Sequence, residues 1–320
     1  MRYLTAALYR FVSLPDAAKR RDALQAVCEA RGIKGLLLLA TEGINGTIAG
    51  EEGAVRKVLA YLRDDPLFAE LTHKESWSDK MPFVRMKVRL KKEIVTLGVA
   101  GLDPGKMAGQ YVKPQDWNAL IDQPDVVLID TRNDYEVAIG TFSRAVDPGI
   151  QRFADLPQWL QAQEAPGGAL FAPDGKKPRV AMFCTGGIRC EKSTALLRMR
   201  GYEEVYHLEG GILSYLQTQP AQSSAWQGEC FVFDERVSVG HGLQPGPYAL
   251  CRSCRRPLSE ADTQAPQYLP GVRCAFCCDS TTSQQQAGFA ERERQVALAR
   301  SRGQPHVGAR LPSPKRQPSH

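Results

Sequence analysis

The chain has 320 residues, 43% of them hydrophobic and 24% charged, an ordinary globular composition that suits two or three domains. No run approaches the length of a membrane span, Met1–Phe11 reads as a strand rather than a signal peptide, and a cytoplasmic location without membrane contact is expected. Nine cysteines without a secretory signal argue against a disulfide framework and for metal binding or thiol chemistry. The net charge is +6, but Thr281–His320 holds seven Lys or Arg against two Glu, a net +5, so a nucleic-acid surface on the folded part must be a local patch.

Residues 1–98 alternate short strands and helices. Tyr3–Arg10 is strand-like, and Asp16–Ala30 is an amphipathic helix with Leu24 and Val27 on one face. Gly35–Ala40 is an apolar strand, Gly43, Asn45 and Gly46 punctuate a tight turn, and Thr47–Ala49 returns. A helix over Glu51–Arg63 and strands near Thr72–Ser78 and Pro82–Leu90 complete a βαββαβ order with one extra strand. This is the order of a ferredoxin-like α+β sandwich.

Residues 99–116 carry Gly101, Pro104, Gly105, Gly109 and Pro114 and read as a linker. A second α/β domain follows over 117–222. A helix at Asp116–Ile121 precedes apolar strands at Val126–Asp130, Val180–Phe183 and Val205–Leu208, with a helix over Ser193–Arg200. That alternation implies a parallel sheet. Residues 223–280 are cysteine-rich and lack helical periodicity. Residues 281–320 are basic and rich in Gln, Ser, Arg and Pro, and read as a disordered tail with one exposed helix over Glu291–Arg300.

The sharpest chemical signal is Cys184-Thr185-Gly186-Gly187-Ile188-Arg189, directly after an apolar strand and before a helix. The glycines let the backbone curl round the sulfur, and the amides of such a loop at a helix N-terminus favour negative charge. Cys184 is therefore expected to be an acidic thiol and the nucleophile, with Arg189 bracing the loop or adding charge. Thr185, Gly186, Gly187 and Ile188 form the anion cradle. Four residues separate Cys184 from Arg189, where cysteine-dependent phosphatases have five and a wider cradle, so this is the smaller, sulfur-handling version.

Two further patterns carry chemistry. Cys251-x-x-Cys254 and Cys274-x-x-Cys277 have a zinc-ribbon spacing, and four thiolates would close a structural tetrahedral site. Cys278 is an alternative ligand to Cys277. Cys190 is placed to resolve an oxidised Cys184, and Cys28 and Cys230 read as packing residues. Val84 to Lys91 alternates strictly, with Val84, Met86, Val88 and Leu90 on a core face. Arg85, Lys87, Arg89 and Lys91 share the other face, a candidate contact for RNA phosphates.

The Cys184 loop, together with Asp130-Thr131-Arg132, Glu136 and the Gly210-Gly211 turn, resembles the rhodanese family. Thr185 and Cys190 stand where its sulfurtransferases often carry a basic or polar residue and Ser or Thr. Ala40–Thr47, Lys92–Gly98, Cys184–Lys192 and Phe231–Arg236, in this domain order, are together similar to the bacterial tRNA uridine hydroxylases with a central rhodanese domain. That resemblance implies conversion of the wobble uridine of tRNA to 5-hydroxyuridine, with molecular oxygen as co-substrate and Cys184 as the essential cysteine. The residues by themselves show no iron facial triad and no Gly-x-Gly-x-x-Gly fingerprint for a flavin or nicotinamide. The rival readings are a persulfide-forming sulfurtransferase acting on a small thiol or sulfur carrier, and a non-catalytic RNA-binding adaptor.

Overall fold

The structure, a computed structural model, describes residues 2–303. The chain divides after Tyr248 into two compact units. The first opens with β1 (Tyr3–Phe11), α1 (Ala17–Ala30), β2 (Lys34–Ala40), β3 (Gly43–Gly50), α2 (Glu52–Arg63), β4 (Thr72–Ser78) and β5 (Met86–Leu90). The sheet order is β4-β1-β3-β2-β5, the expected ferredoxin-like sandwich with β5 added parallel to β2 at one edge. Alternation decides its faces. Leu4, Ala6 and Leu8 of β1 pack with Leu37 and Leu39 of β2 against Leu24 and Cys28 of α1 and Val55, Leu59 and Leu62 of α2. Each fully buried Leu or Val adds roughly 1.5–3 kcal/mol of burial free energy.

Three local readings are corrected here. Gly43, Asn45 and Gly46 lie inside β3 rather than in a turn. A Cβ at Gly46, whose φ is +157°, would run into the Leu36 carbonyl, so the glycine serves close strand approach. The last strand begins only at Met86; the Pro82 carbonyl accepts instead from the Glu235 amide at 3.0 Å. On that edge strand Met86 and Val88 are buried, whereas Leu90 is 45% exposed rather than core.

The rest of the first unit holds α3 (Pro104–Met107), β6 (Gln110–Val112), α4 (Pro114–Ile121), β7 (Val126–Asp130), α5 (Asp134–Val137) and β8 (Gly140–Phe142). It continues with α6 (Leu156–Gln163), β9 (Arg179–Phe183), α7 (Ile188–Met199), β10 (Val205–Leu208) and α8 (Gly211–Thr218). Strands β6-β10-β9-β7 form the expected parallel sheet. The stretch 99–116, read as a linker, thus supplies α3, an edge strand and the start of α4. Three residues of strand pattern between glycines and prolines are too short to announce themselves. Trp226, Cys230, Val232, Val239 and Leu243 pack into the core built by Trp117, Phe142 and Ile212, so the first part of the cysteine-rich stretch belongs to this unit.

The second unit carries the four-cysteine cluster, α9 (Glu260–Gln264) and α10 (Ser283–Ser301). Helix α10 contains the helix read at Glu291–Arg300 and starts eight residues earlier, behind a capping box made by Thr282 and Gln285. It has no buried residue and is held by polar contacts, among them Arg292 to the Gly271 carbonyl at 2.7 Å. The end of the tail, 304–320, lies outside the described residues. Among the described residues no helix is long and apolar enough to cross a membrane.

Candidate active site

Strand β9 is wholly buried from Val180 to Phe183 and delivers Cys184 to the carboxyl end of the parallel sheet, where such sheets place their ligands. Gly187, with φ of +98°, turns the chain into α7, so the loop curls over a helix N-terminus. The Gly187 amide points at Cys184 Sγ, 3.1 Å away. The Gly210-Gly211 turn clamps the loop: Ile212 and Leu213 donate their N–H groups to the Cys184 and Thr185 carbonyls, each at 3.0 Å.

Burial opposes ionisation of Cys184. A hydrogen bond from the Cys190 thiol, the Arg189 charge and the amides of Cys190 and Arg189 outweigh it and bring the thiol from 9.0 down to about 5. Cys190 moves the opposite way, because it is buried and donates to the Cys184 sulfur. Burial pushes Cys28 and Cys230 up to about 12. Among the four buried thiols of the first unit, the loop therefore singles out Cys184 as the anion at neutral pH.

Arg189 is not a free cation. It forms a bidentate pair with Glu136, at 2.6 and 2.8 Å, and donates to Thr185 Oγ1 at 3.2 Å. Glu136 is fully buried, and the pair braces the loop as well as charging it. Arg132 makes a separate buried pair with Asp130 and holds the Gly140 carbonyl, both at 2.6 Å, a structural role.

The motifs of the first domain meet this loop. Glu42 accepts from the Ile94 amide at 2.6 Å, and Asn45 donates to the Ile94 carbonyl at 2.9 Å. Lys192, buried on α7, bridges Glu42 and Glu93 at 2.8 and 2.6 Å. Arg236 pairs with Asp234 and reaches Ser76 Oγ on β4 at 2.7 Å. Four stretches scattered over the sequence thus lock the two domains together.

Between the open face of the first sheet and the Cys184 loop lies a cleft of about 710 Å³, lined among others by Thr47, Lys91, Phe153, Cys184 and Phe233. Lys87 pairs with Leu36 and Arg89 with Leu38 across β2, and Leu36 and Leu38 line this cleft. The basic strand therefore edges the face that looks onto Cys184, which its position in the sequence did not reveal. Arg85, Arg89 and Lys91 are exposed and Lys87 half-buried. Burial and the neighbouring charges of Arg85 and Arg89 lower the Lys87 pKa.

Sequence reasoning missed Tyr9, Lys74, Tyr111 and Glu191. The Tyr9 and Tyr111 hydroxyls donate to Glu191 Oε1 at 2.9 and 2.8 Å, and burial raises the pKa of that carboxyl. Lys74 donates to the Gly186 carbonyl at 3.1 Å from a strand 112 residues earlier. Each stands in an unremarkable polar pattern, and only the fold gathers them.

In the second unit the sulfur atoms of Cys251, Cys254, Cys274 and Cys277 all lie within 4.8 Å of one another. Three pairs stand at 3.9, 3.7 and 3.7 Å, close to the ~3.8 Å edge of a tetrahedron with metal–sulfur bonds of about 2.3 Å. Cys278 turns away and donates to the Ala275 carbonyl at 3.3 Å.

Residues 3–94 match the UPF0176 acylphosphatase-like domain, and residues 113–218 the rhodanese-like domain. The chain is similar to the tRNA uridine(34) hydroxylase of Albidiferax ferrireducens, at 62% identity over 99% of this chain and 98% of that one. It is also similar to the tRNA uridine(34) hydroxylase of Acaryochloris marina, at 57% identity over 96% and 97%. Among solved structures it resembles a rhodanese-related protein from Thermoplasma volcanium, 19% identical, covering 35% of this chain and 95% of that one with a TM-score of 0.27. The two domains in this order, and relatives matched almost end to end, show that the chain belongs to the tRNA uridine(34) hydroxylase family.

Proposed function

We propose that this protein hydroxylates the wobble uridine of tRNA to 5-hydroxyuridine in the cytoplasm, in a monooxygenase-type reaction with molecular oxygen as co-substrate and Cys184 as the reactive group. The observation that carries the reading is an acidic thiol in an amide cradle at a cleft whose edge strand bears Lys87 and Arg89, with Lys91 just beyond it. The names of the relatives supply the substrate and the position. A nucleobase brought to Cys184 needs its phosphates held nearby, and a row of cations does that without reading sequence. Arg189 and the loop amides keep Cys184 anionic. A sulfurtransferase for a small thiol would use the same loop but leave that basic edge idle.

The four-cysteine cluster fits a structural zinc ion in its donor type, number and spacing. Zinc there would staple a module whose buried core is little more than Leu258 and the cysteines themselves.

The test is nucleoside analysis of tRNA from cells lacking the protein. Loss of 5-hydroxyuridine, restored by the native chain and not by Cys184→Ser, is expected, and label from ¹⁸O₂ should enter the base. Restoration by Cys184→Ser would sink the assignment of Cys184, because a serine hydroxyl is far less acidic.

A further inference from the structure

We infer that Lys74, contributed by the N-terminal domain, is a positioning residue for the reaction: its ammonium completes the charge environment that keeps Cys184 an anion. The inference rests on the reading of Cys184 as the reactive group.

The side chain is threaded into place. Lys74 leaves β4 on the cleft face and ends with Nζ donating to the Gly186 carbonyl in the middle of the cradle. Its stem crosses Gly210, where a Cβ would lie 2.7 Å from Lys74 Cε and 2.6 Å from Ser214 Cβ. The Tyr9 ring flanks the ammonium at 5.7 Å. Tyr9 is itself held by Glu191, and its hydroxyl sits where a Cβ on Gly187 would be 3.0 Å away. Glycines of both loop and turn thus accommodate groups from the other domain.

The charges make the placement consequential. Arg189 shares its charge with Glu136 through two hydrogen bonds, which weakens what it offers the sulfur. Groups coupled electrostatically to Cys184 include Cys190, Arg189 and Glu191 from its own domain and Tyr9 and Lys74 from the other side. Burial lowers the Lys74 pKa, while Cys184, Glu191 and Glu209 favour its charged form. The anions that Lys74 faces offset part of that burial cost, and by the same interaction the ammonium favours the Cys184 thiolate.

The test reads Cys184 directly and needs no tRNA. The full-length protein is alkylated with iodoacetamide between pH 5 and 9, and the rate at Cys184 is followed by peptide mass spectrometry. In Lys74→Met, which keeps the length of the stem and removes the charge, the midpoint of the pH profile should rise by about one unit with the high-pH plateau unchanged. Lys74→Arg should stay near the native midpoint, and hydroxylation by Lys74→Met should fall in kcat more than it rises in KM. An unmoved midpoint in Lys74→Met overturns the inference. So does an equal shift in Lys74→Arg, which would make the effect one of packing. If alkylation of native Cys184 shows no midpoint below pH 7, the reading of Cys184 fails, and the inference with it.

Discussion

Replacing Glu136 by Gln removes the counter-ion of Arg189 and leaves almost every atom in place. Glu136 is fully buried and Arg189 7% exposed, so water cannot substitute for the lost partner. The carboxylate accepts two hydrogen bonds from Arg189, one from the Thr185 hydroxyl at 3.2 Å and one from the Asn133 amide at 3.2 Å that caps α5. An amide has one acceptor oxygen, and its NH₂ would face a guanidinium N–H. Breaking one side of a buried pair costs about 3–5 kcal/mol. At roughly 2–4 °C per kcal/mol for a unit of this size, Tm should fall on the order of 6–20 °C. Burial raises the Glu136 pKa, but the Arg189 charge and hydrogen bonds outweigh it and hold the carboxyl below its ordinary value. A depressed folded pKa contributes stability that is complete above the unfolded value of about 4.3 and is lost as pH falls through the folded one. The gap between native and variant proteins should thus be full at pH 7 and close only below about pH 4. Alkylation of Cys184 at neutral pH should persist, since Arg189 keeps its charge. Thermal unfolding monitored by circular dichroism measures the effect. A fall in Tm below about 2 °C at pH 7 would refute the claim that this pair braces the loop.

The remaining predictions are more direct. Freshly prepared, reduced protein should hold about one zinc per chain by elemental analysis, and Cys254→Ser should lose it; metal-free protein with its fold intact would leave four reduced thiols as the better description. Lys87→Ala with Arg89→Ala should weaken tRNA binding and flatten its salt dependence by about one to two units of log–log slope. An unchanged slope would mark the strand as a solvated face, and the tRNA surface would have to be sought elsewhere.

What the sequence determined was set by short-range rules. Period-two alternation placed Met86 and Val88 on a core face, apolar runs marked β7, β9 and β10, and a strand, two glycines and an arginine in ten residues marked the Cys184 loop. The spacing of two Cys-x-x-Cys pairs likewise marked a cluster that the structure closes to within 4.8 Å. Such features follow from backbone geometry over a few residues, and a chain need not be folded to display them. Local rules failed where partners were distant. Gly46 reads as a turn because its reason, the Leu36 carbonyl, lies on the neighbouring strand. Lys74, Tyr9 and Tyr111 carry no pattern, since the partners that make them matter, Gly186 and Glu191, lie between 80 and 182 residues away in the chain. The same holds for the basic strand, whose face toward Cys184 is decided by its pairing with β2. Electrostatics at the site is a property of distance and burial, and both exist only once the two domains have closed on one another.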